Sequence, residues 1–288
     1  MEAILEAGID RVVIASDDPS EKAAGRGPGI LRDGGVEVAF AAGAEATAAR
    51  RLTQPFRKHA RTGLPLVILK MAMSLDGQTT TAPGDSPWIS GPESQELVHK
   101  WRSESDAIAI GIGTALADDP LLTARIDGAR QPKRIVFDSK ARLPLESQLL
   151  KTLDRSQVLV ITAPNAPADR ISALGDAGAE IIAATDLSAA LRELGRQEIT
   201  SLFLEGGRTL ASAFSLSGQI DESRTFIAPM LLGSQPNPVP RAGGDDREDS
   251  PGRGSPRSET GPARQTALWS STEQVGDDTL IKSTFKEW

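Results

Sequence analysis

The fold of this chain is decided by residues 64–77, LPLVILKMAMSLDG, where a long apolar run ends in polar residues and a glycine turn. Such a run predicts a buried strand over residues 64–74. Three more stretches place polar or glycine residues at the end of an apolar run: residues 86–93 (SPWISGPE), 111–125 (GIGTALADDPLLTAR) and 203–212 (FLEGGRTLAS). In an open α/β sheet ligands bind just outside the carboxyl ends of the strands, so these stretches mark the candidate binding site.

The chain after this first strand alternates between strand and helix patterns. Further strands are predicted at residues 106–113, 134–139, 157–162, 199–207 and 222–231, and helices at 168–177, 187–194 and 208–216. Near-continuous apolar strands that alternate with helices are typical of a mostly parallel sheet with helices on both faces. Another helix is predicted to begin at Ser90, because Ser90 and Glu93 fit a capping box and Pro92 is tolerated in a first turn.

The two ends of the chain have a different character. Residues 1–60 predict strand, helix, strand and helix, with a buried strand at 11–16 and a linker after Gln54, which is half a domain and too small to bury a good core alone. Residues 236–264 contain one valine and no Ile, Leu, Met or aromatic residue, so disorder is predicted there and on to residue 268. Residues 275–288 then return to a strand-like alternation.

Composition excludes several classes of protein. The 288 residues suit one or two domains, and the net charge of −7 argues against nucleic acid as a partner. No run approaches the roughly 20 apolar residues that span a bilayer, and the acidic N-terminus does not resemble a secretory signal, so a cytoplasmic protein is expected. The chain has no cysteine, which removes disulfides and Cys-containing zinc sites. Its two histidines, His59 in the linker and His99 on a solvated helix face, argue against a His-rich metal site.

Together the four motifs resemble the reductase domain of the bifunctional riboflavin-biosynthesis deaminase–reductase, over residues 64–233 and again at 275–281 (VGDDTLI). The resemblance implies a dihydrofolate-reductase-like α/β fold over residues 64–288. Residues 1–60 are similar to the last part of that family's zinc deaminase domain, a partial cytidine-deaminase-like α/β fragment. Zinc deaminases need an H-x-E and a P-C-x-x-C motif. This chain has neither, so we expect no zinc and no deaminase activity.

A cofactor site is predicted around the second glycine pair. Gly206 and Gly207 follow a strand and open a helix, where backbone N–H groups attract phosphate, although a plain strand-to-helix turn has the same pattern. The resemblance implies that NADPH binds here, and no residue decides between NADPH and NADH. It assigns cofactor contacts to Ala72, Trp88, Thr114, Asp118, Ser139, Gly207, Arg208, Thr209, Leu210, Ala211, Ser212 and Ala213. Ala72 and Trp88 would otherwise be core or anchor residues, and Asp118 a cap before Pro120.

The substrate side is predicted from charged residues. Arginine forks match phosphate groups, and the resemblance assigns Arg102 and Arg125 to the substrate, with Ser86 and the backbone near Leu122. The alternative for Arg102 is a solvated helix end.

Two charged residues also end very apolar strands, and buried charges need a reason. Lys70 and Glu205 are therefore the candidate catalytic residues. Lys70 would hold the ribose or carry a proton, and Glu205 would do the same by hydrogen bonding, which also gives Glu205 a substrate-binding role. The acid that protonates the ring oxygen is either Lys70 or water, and the sequence does not decide between them. A structural Lys70–Glu205 pair is the competing interpretation.

The resemblance implies NADPH-dependent reduction of 5-amino-6-(5-phosphoribosylamino)uracil to 5-amino-6-(5-phosphoribitylamino)uracil, by an enzyme compatible with a homodimer. Two alternatives stay open. One is a reductase that acts on the pyrimidine before deamination. The other is a catalytically silent fragment that only binds a ligand or a partner chain. The composition of residues 236–264 motivates the second, because it resembles a frame-shifted stretch of GC-rich coding sequence, which the nucleotide sequence would test.

Overall fold

The computed structural model describes residues 1–23, 25–80, 89–233 and 265–288. Its strands are β1 Arg11–Ile14, β2 Glu37–Phe40, β3 Leu66–Ser74, β4 Ala107–Gly111, β5 Lys133–Phe137, β6 Val158–Thr162, β7 Glu180–Ala183, β8 Ser201–Leu204, β9 Glu222–Ala228, β10 Trp269–Val275 and β11 Asp278–Thr284. Its helices are α1 Glu2–Glu6, α2 Arg26–Asp33, α3 Gly43–Leu52, α4 Gln54–Thr62, α5 Pro92–Glu104, α6 Ile112–Asp118, α7 Gln148–Lys151, α8 Ala168–Asp176, α9 Leu187–Arg196 and α10 Arg208–Leu216. No helix in these ranges is long and apolar enough to cross a membrane.

The main sheet has nine strands in the order β10-β11-β9-β3-β8-β4-β5-β6-β7. The seven strands from β9 to β7 are parallel, while β11 and β10 add an antiparallel hairpin at one edge. Strand β3 lies between β8 and β9, so residues 66–74 occupy an interior position. This architecture confirms the predicted α/β class with a mostly parallel sheet.

Both faces of the sheet are covered by apolar layers, as predicted. On one face α5 packs through Val98 and Trp101 against Ile68, Phe203 and Phe226. The Trp101 ring centroid lies 5.5 Å from that of Phe226 and 6.0 Å from that of Phe203. Aromatic pairs at these distances add about 0.5–1.5 kcal/mol beyond the area they bury, so they fix α5 above β8 and β9. Helices α9 and α10 cover the other face.

The N-terminal residues form a second, smaller sheet, in which β1 pairs with β2 in parallel. The strand predicted as buried at residues 11–16 is shorter and not buried, since Val13 is 57% exposed, and Phe40 of β2 is 51% exposed. A two-stranded sheet cannot shield both of its faces, which is why an apolar run here does not become a core strand.

Helix α4 replaces the linker that was predicted after Gln54. It is joined to the main sheet by a buried ion pair, with Lys58 Nζ 2.5 Å from Asp221 Oδ2. The same carboxylate oxygen accepts a hydrogen bond from the backbone N–H of Val67 at 2.8 Å, and Asp221 Oδ1 accepts one from Trp288 Nε1 at 3.1 Å. His59 is a helix residue, with Nε2 2.9 Å from the carbonyl oxygen of Gly195. The prediction of a linker was wrong because α4 is anchored through polar groups rather than an apolar face.

Three further elements were not predicted, one of them the short helix α7 at residues 148–151. Residues 112–118 form helix α6 where an exit loop was expected, and residues 269–275 form β10. Of the segment predicted to be disordered, residues 236–264 lie outside the described residues, and residues 265–268 have no helix or strand. The division into domains at residues 60–64 stays a prediction.

Candidate active site

The candidate site lies where β8 ends between its neighbours β3 and β4. Lys70 was predicted at the end of a strand, but it is the fifth of the nine residues of β3. Leu69 of β3 pairs with Leu204 of β8, and Leu204 pairs with Ala109 of β4. The next residues along β3 and β8 are Lys70 and Glu205, so the register sets them side by side on the face that α5 covers. The backbone N–H of Glu205 donates to the Ala109 carbonyl oxygen at 2.9 Å, which extends the ladder to this charged residue.

Arg102 of α5 binds Glu205 through a two-pronged ion pair. Its Nε lies 2.7 Å from Oε1 and its Nη2 lies 2.9 Å from Oε2, while Nη1 donates to the Thr123 carbonyl oxygen at 3.1 Å. The two side chains are only 15% and 12% exposed. Arg102 is therefore not a solvated helix end, and the ion-pair partner of Glu205 is Arg102 rather than Lys70. The substrate role of Arg102 stays a prediction.

The charges around Glu205 shift the pKa values of this group of side chains. Burial alone would raise the pKa of Glu205, but the Arg102 charge, its hydrogen bonds and Lys70 together hold that pKa below its usual value. Burial lowers the pKa of Lys70, and the opposing charge of Glu205 does not fully offset it. Glu205 is thus a fixed hydrogen-bond acceptor, and Lys70 is a better proton donor than an ordinary lysine.

The segment after α6 packs against α5 through His99. His99 Nδ1 lies 3.2 Å from the Thr123 carbonyl oxygen and 3.3 Å from the Arg125 backbone nitrogen. His99 is therefore half-buried rather than solvated as predicted, and burial followed by the charges of Arg102 and Arg125 lowers its pKa. Leu122 is buried with a positive φ of 52°, an uncommon conformation for a side chain of this size.

The side chain of Gln131 holds the backbone of residues 122–125 in place, and no sequence pattern indicated this role. Its side-chain amide exchanges two hydrogen bonds with the backbone of Ala124, both 2.9 Å long. The adjacent Arg125 side chain is exposed and has no ion-pair partner within the ranges that the structure describes. The segment thus presents a cation beside the Lys70–Glu205–Arg102 group.

The predicted cofactor site is an uncapped helix start. Gly207 is the N-cap residue of α10, and no side chain caps this end. The first hydrogen bond within the helix runs from the Ala211 N–H to the Gly207 carbonyl oxygen at 3.1 Å, so the N–H groups of residues 208–210 precede it. A nine-residue helix with such an end suits a phosphate group.

The neighbouring strand ends are packed too closely for larger residues. A Cβ atom on Gly207 would lie 3.2 Å from Thr114 Oγ1, and one on Gly206 would lie 3.1 Å from Leu210 Cβ. A Cβ atom on Gly111 would lie 3.5 Å from the same Leu210 atom. The starts of α6 and α10 therefore lie against each other, and Leu210 and Thr114 occupy the space that side chains at Gly206 and Gly207 would need.

The other predicted cofactor residues are more scattered. Ala72 pairs with Phe226 and is partly buried, while Asp118 and Ser139 are exposed at the ends of α6 and β5. Thr114 and Asp118 belong to α6 rather than to an exit loop. The capping role considered for Asp118 belongs to Asp119, whose Oδ1 accepts the Gln148 N–H at 2.8 Å.

The remaining predictions cannot all be placed. Arg208, Thr209, Ser212 and Ala213 are exposed along α10, and Ser86 and Trp88 lie outside the described residues. Across the described ranges, no group of three or more metal-ligating side chains is arranged to hold a metal ion.

Helix α5 does not begin with the predicted capping box. Its N-cap residue is Gly91, which has no side chain. Asp278 of β11 instead accepts hydrogen bonds on Oδ2 from the Gly91 N–H at 2.8 Å and from Ser94 Oγ at 2.6 Å. The capping residue comes from a part of the chain nearly two hundred residues away, so no local pattern could have revealed it.

Comparison with known proteins relates this fold and site to one family. The family described as RibD C-terminal domain matches residues 65–250. The riboflavin biosynthesis protein RibD of Actinobacillus pleuropneumoniae is 35% identical over 246 residues, and that of Escherichia coli K12 is 35% identical over 255 residues. These alignments cover 83% and 81% of this chain but only 65% and 66% of the two relatives.

A solved structure extends the likeness beyond the matched domain. RibD of Acinetobacter baumannii, form 1, superposes with a TM-score of 0.79 at 32% identity, covering 99% of this chain and 76% of that one. The resemblance drawn from the four sequence motifs is therefore confirmed. The chain belongs to the RibD C-terminal domain family.

Proposed function

We propose that this chain is the NADPH-dependent reductase of riboflavin biosynthesis, converting 5-amino-6-(5-phosphoribosylamino)uracil to its ribityl counterpart. The observation that carries the proposal is the Lys70–Glu205–Arg102 group, set where β8 ends beside the middle of β3 and next to the uncapped start of α10. It combines a proton donor, a fixed acceptor and a phosphate-binding helix start at one edge of the sheet. The similarity to RibD proteins supports the choice of pathway.

The residues divide the work of binding between them. The bound dinucleotide would supply the hydride, since reduced nicotinamide carries that chemistry. Its pyrophosphate would lie against the N–H groups that open α10, next to Thr114. The small side chain of Ala72, on the face of β3 that also carries Lys70, would lie against the nicotinamide ring. The exposed Arg125 would bind the phosphate of the substrate.

The proton requirement of the reaction gives Lys70 its role. Opening the ribose ring breaks the C1′–O4′ bond and places a proton on O4′, and reduction then adds a hydride to C1′. The balance consumes one proton and one hydride for each ribityl chain formed. Lys70 would deliver the proton, because burial makes it a stronger acid than a solvated lysine. Glu205 stays ionised through Arg102 and would accept hydrogen bonds from the ribose hydroxyls.

Nicotinamide oxidation with the deaminated substrate tests this function. We expect turnover by the wild type and a loss of about tenfold or more in kcat/KM for Arg125→Ala, since a charged contact to phosphate is worth about 1.5–3 kcal/mol. Arg192→Ala, an exposed change on α9 across the sheet, is the matched control. Equal turnover by Arg125→Ala would remove the phosphate assignment.

The same assay separates the alternatives. Faster turnover of the substrate that still carries its amino group would show that reduction precedes deamination. No turnover by a folded protein would favour the silent fragment, and a direct NADPH titration, with NADH in parallel, would then show whether the cofactor site binds a dinucleotide.

A further inference from the structure

The terminal hairpin reaches the proposed active site through one buried carboxylate. Val275 of β10 pairs with Asp278 of β11 across a two-residue turn. Asp278 is 2% exposed and precedes Thr279, which pairs with Ile227 of β9. Since Leu280 pairs with Phe226 and Phe226 pairs with Ala72, Asp278 points to the same face of the sheet as Lys70.

This carboxylate replaces the side chain that the start of α5 lacks. Asp278 Oδ2 accepts the Gly91 N–H at 2.8 Å and the hydroxyl of the fully buried Ser94 at 2.6 Å. A carboxylate at a helix N-terminus is favoured both by the Gly91 N–H group and by the helix dipole. The hairpin therefore supplies the cap of the helix that carries His99 and Arg102.

The turn between β10 and β11 lies close to the first turn of α5, and Gly276 makes this approach possible. Gly276 has a positive φ of 55°, and a Cβ atom on it would overlap the carboxylate of Glu93. Only glycine satisfies both the backbone conformation and the close approach. The turn and the first turn of α5 are thus in direct contact.

Asp278 also belongs to the set of charges around Lys70. Four charged groups face Lys70: Glu205 at the end of β8, Arg102 of α5, Asp278 of β11 and Arg224 of β9. Arg224 is the residue that pairs with Lys70 in the sheet. Two of these groups are acidic. The negative charge of Asp278 favours the protonated form of Lys70, in the same sense as Glu205.

We propose that Asp278 is a positioning residue of this reductase. It holds the start of α5, and with it Arg102, against the sheet, and it places a second carboxylate on the face of the sheet that carries Lys70. The inference rests on the proposed function for its catalytic consequence, but its electrostatic part can be read without turnover. Asp278 lies in β11, so this role makes the terminal hairpin part of the site.

Two variants separate the cap from the charge. Asp278→Asn keeps the size and an acceptor oxygen but removes the charge, whereas Asp278→Ala removes both. Asp277→Asn, an exposed change in the same turn, is the matched control. The measurements are kcat and KM across pH, and the pH midpoint at which an amine-reactive reagent labels Lys70, read by mass spectrometry.

We expect Asp278→Asn to move the alkaline limb of kcat/KM and the labelling midpoint of Lys70 to lower pH, because one of the two acidic groups that favour protonated Lys70 loses its charge. Asp278→Ala should in addition lower kcat on the order of 10²-fold, as α5 shifts at its start, while the nicotinamide KM changes little. Asp277→Asn should match the wild type in every measurement.

The proposal is overturned if Asp278→Asn labels Lys70 with the wild-type midpoint. It is also overturned if Asp278→Ala retains the wild-type kcat. A wild type that shows no turnover would count against the proposed function alone, because the labelling midpoint still decides whether Asp278 acts on Lys70.

Discussion

Arg102 and Glu205 face each other as two planar groups joined by parallel hydrogen bonds of 2.7 and 2.9 Å. Two elements that are far apart in the chain, α5 and the end of β8, therefore meet at one ion pair. Two nitrogen atoms of the Arg102 guanidinium bind the two carboxylate oxygens of Glu205, so the main partner of Arg102 is Glu205. This ion pair explains why a carboxylate can remain charged at the end of an apolar strand.

Replacement of Arg102 is expected to affect stability and activity together. Arg102→Ala leaves Glu205 buried without its partner, and we expect the free energy of unfolding to fall by about 2–4 kcal/mol, near the low end for a fully buried pair because both side chains keep some exposure. Arg102→Lys should recover only part of this, because an ammonium group cannot bind both oxygens in the plane. Urea unfolding measures the effect, with Lys100→Ala, an exposed change on the same helix, as the control. Unchanged stability in Arg102→Ala would show that the pair contributes nothing.

The buried charge of Lys70 is expected to lower the free energy of unfolding, even though Lys70 is a proposed catalytic residue. Burial lowers its pKa from the ordinary value of 10.5, so the folded protein holds this proton less tightly than the unfolded chain does. The cost is fully present at pH values below the folded pKa and is relieved as pH rises from that pKa towards 10.5. Lys70→Met should therefore unfold at higher urea than the wild type at neutral pH, while reductase turnover is lost. The stability gain should shrink in alkaline buffer, and a variant that is less stable at neutral pH would contradict this account.

A methyl group on Gly207 should weaken the binding of the dinucleotide. The added Cβ would lie 3.2 Å from Thr114 Oγ1, at the place where the backbone opens α10. We expect Gly207→Ala to raise the Kd for NADPH by roughly tenfold, or about 1.4 kcal/mol, with little change in the unfolding midpoint. Gly175→Ala in α8 is the control, since a Cβ atom there meets nothing within 4 Å. Fluorescence titration of NADPH gives both constants, and equal affinities would exclude close approach of the ligand at Gly207.

Removal of the Lys58 charge should loosen the N-terminal residues from the sheet. Lys58→Met leaves the fully buried Asp221 charge without its ion-pair partner, and loss of one member of a buried pair costs about 3–5 kcal/mol. Lys22→Met, an exposed change in the same half of the chain, should be neutral. Hydrogen exchange should show faster opening of α4 in Lys58→Met. Exchange in α4 that matches the wild type would mean that the ion pair does not anchor this helix.

The parts of the fold that were predicted correctly depend on local patterns. The runs at β3, β4 and β8 are apolar enough to identify strands without knowledge of their partners, and Gly206 and Gly207 indicate a helix start from two residues. Two of the errors share a physical cause, which is polar contact between distant residues. Asp221 anchors α4, and Asp278 caps α5. Neither partner pair lies within one element, so neither leaves a periodic signal in the sequence.

The interior position of β3 has a consequence for synthesis of the chain. Leu66 pairs with Ser201, and Ile68 pairs with Glu222, so both neighbours of this strand are translated long after it. Contacts between such distant residues slow folding, and an unpaired apolar strand is prone to aggregate meanwhile. During synthesis, residues 66–73 (LVILKMAM) therefore remain unpaired on both edges until β8 and β9 have been translated. We expect its solubility during that interval, rather than the final stability of the sheet, to limit the yield of folded protein.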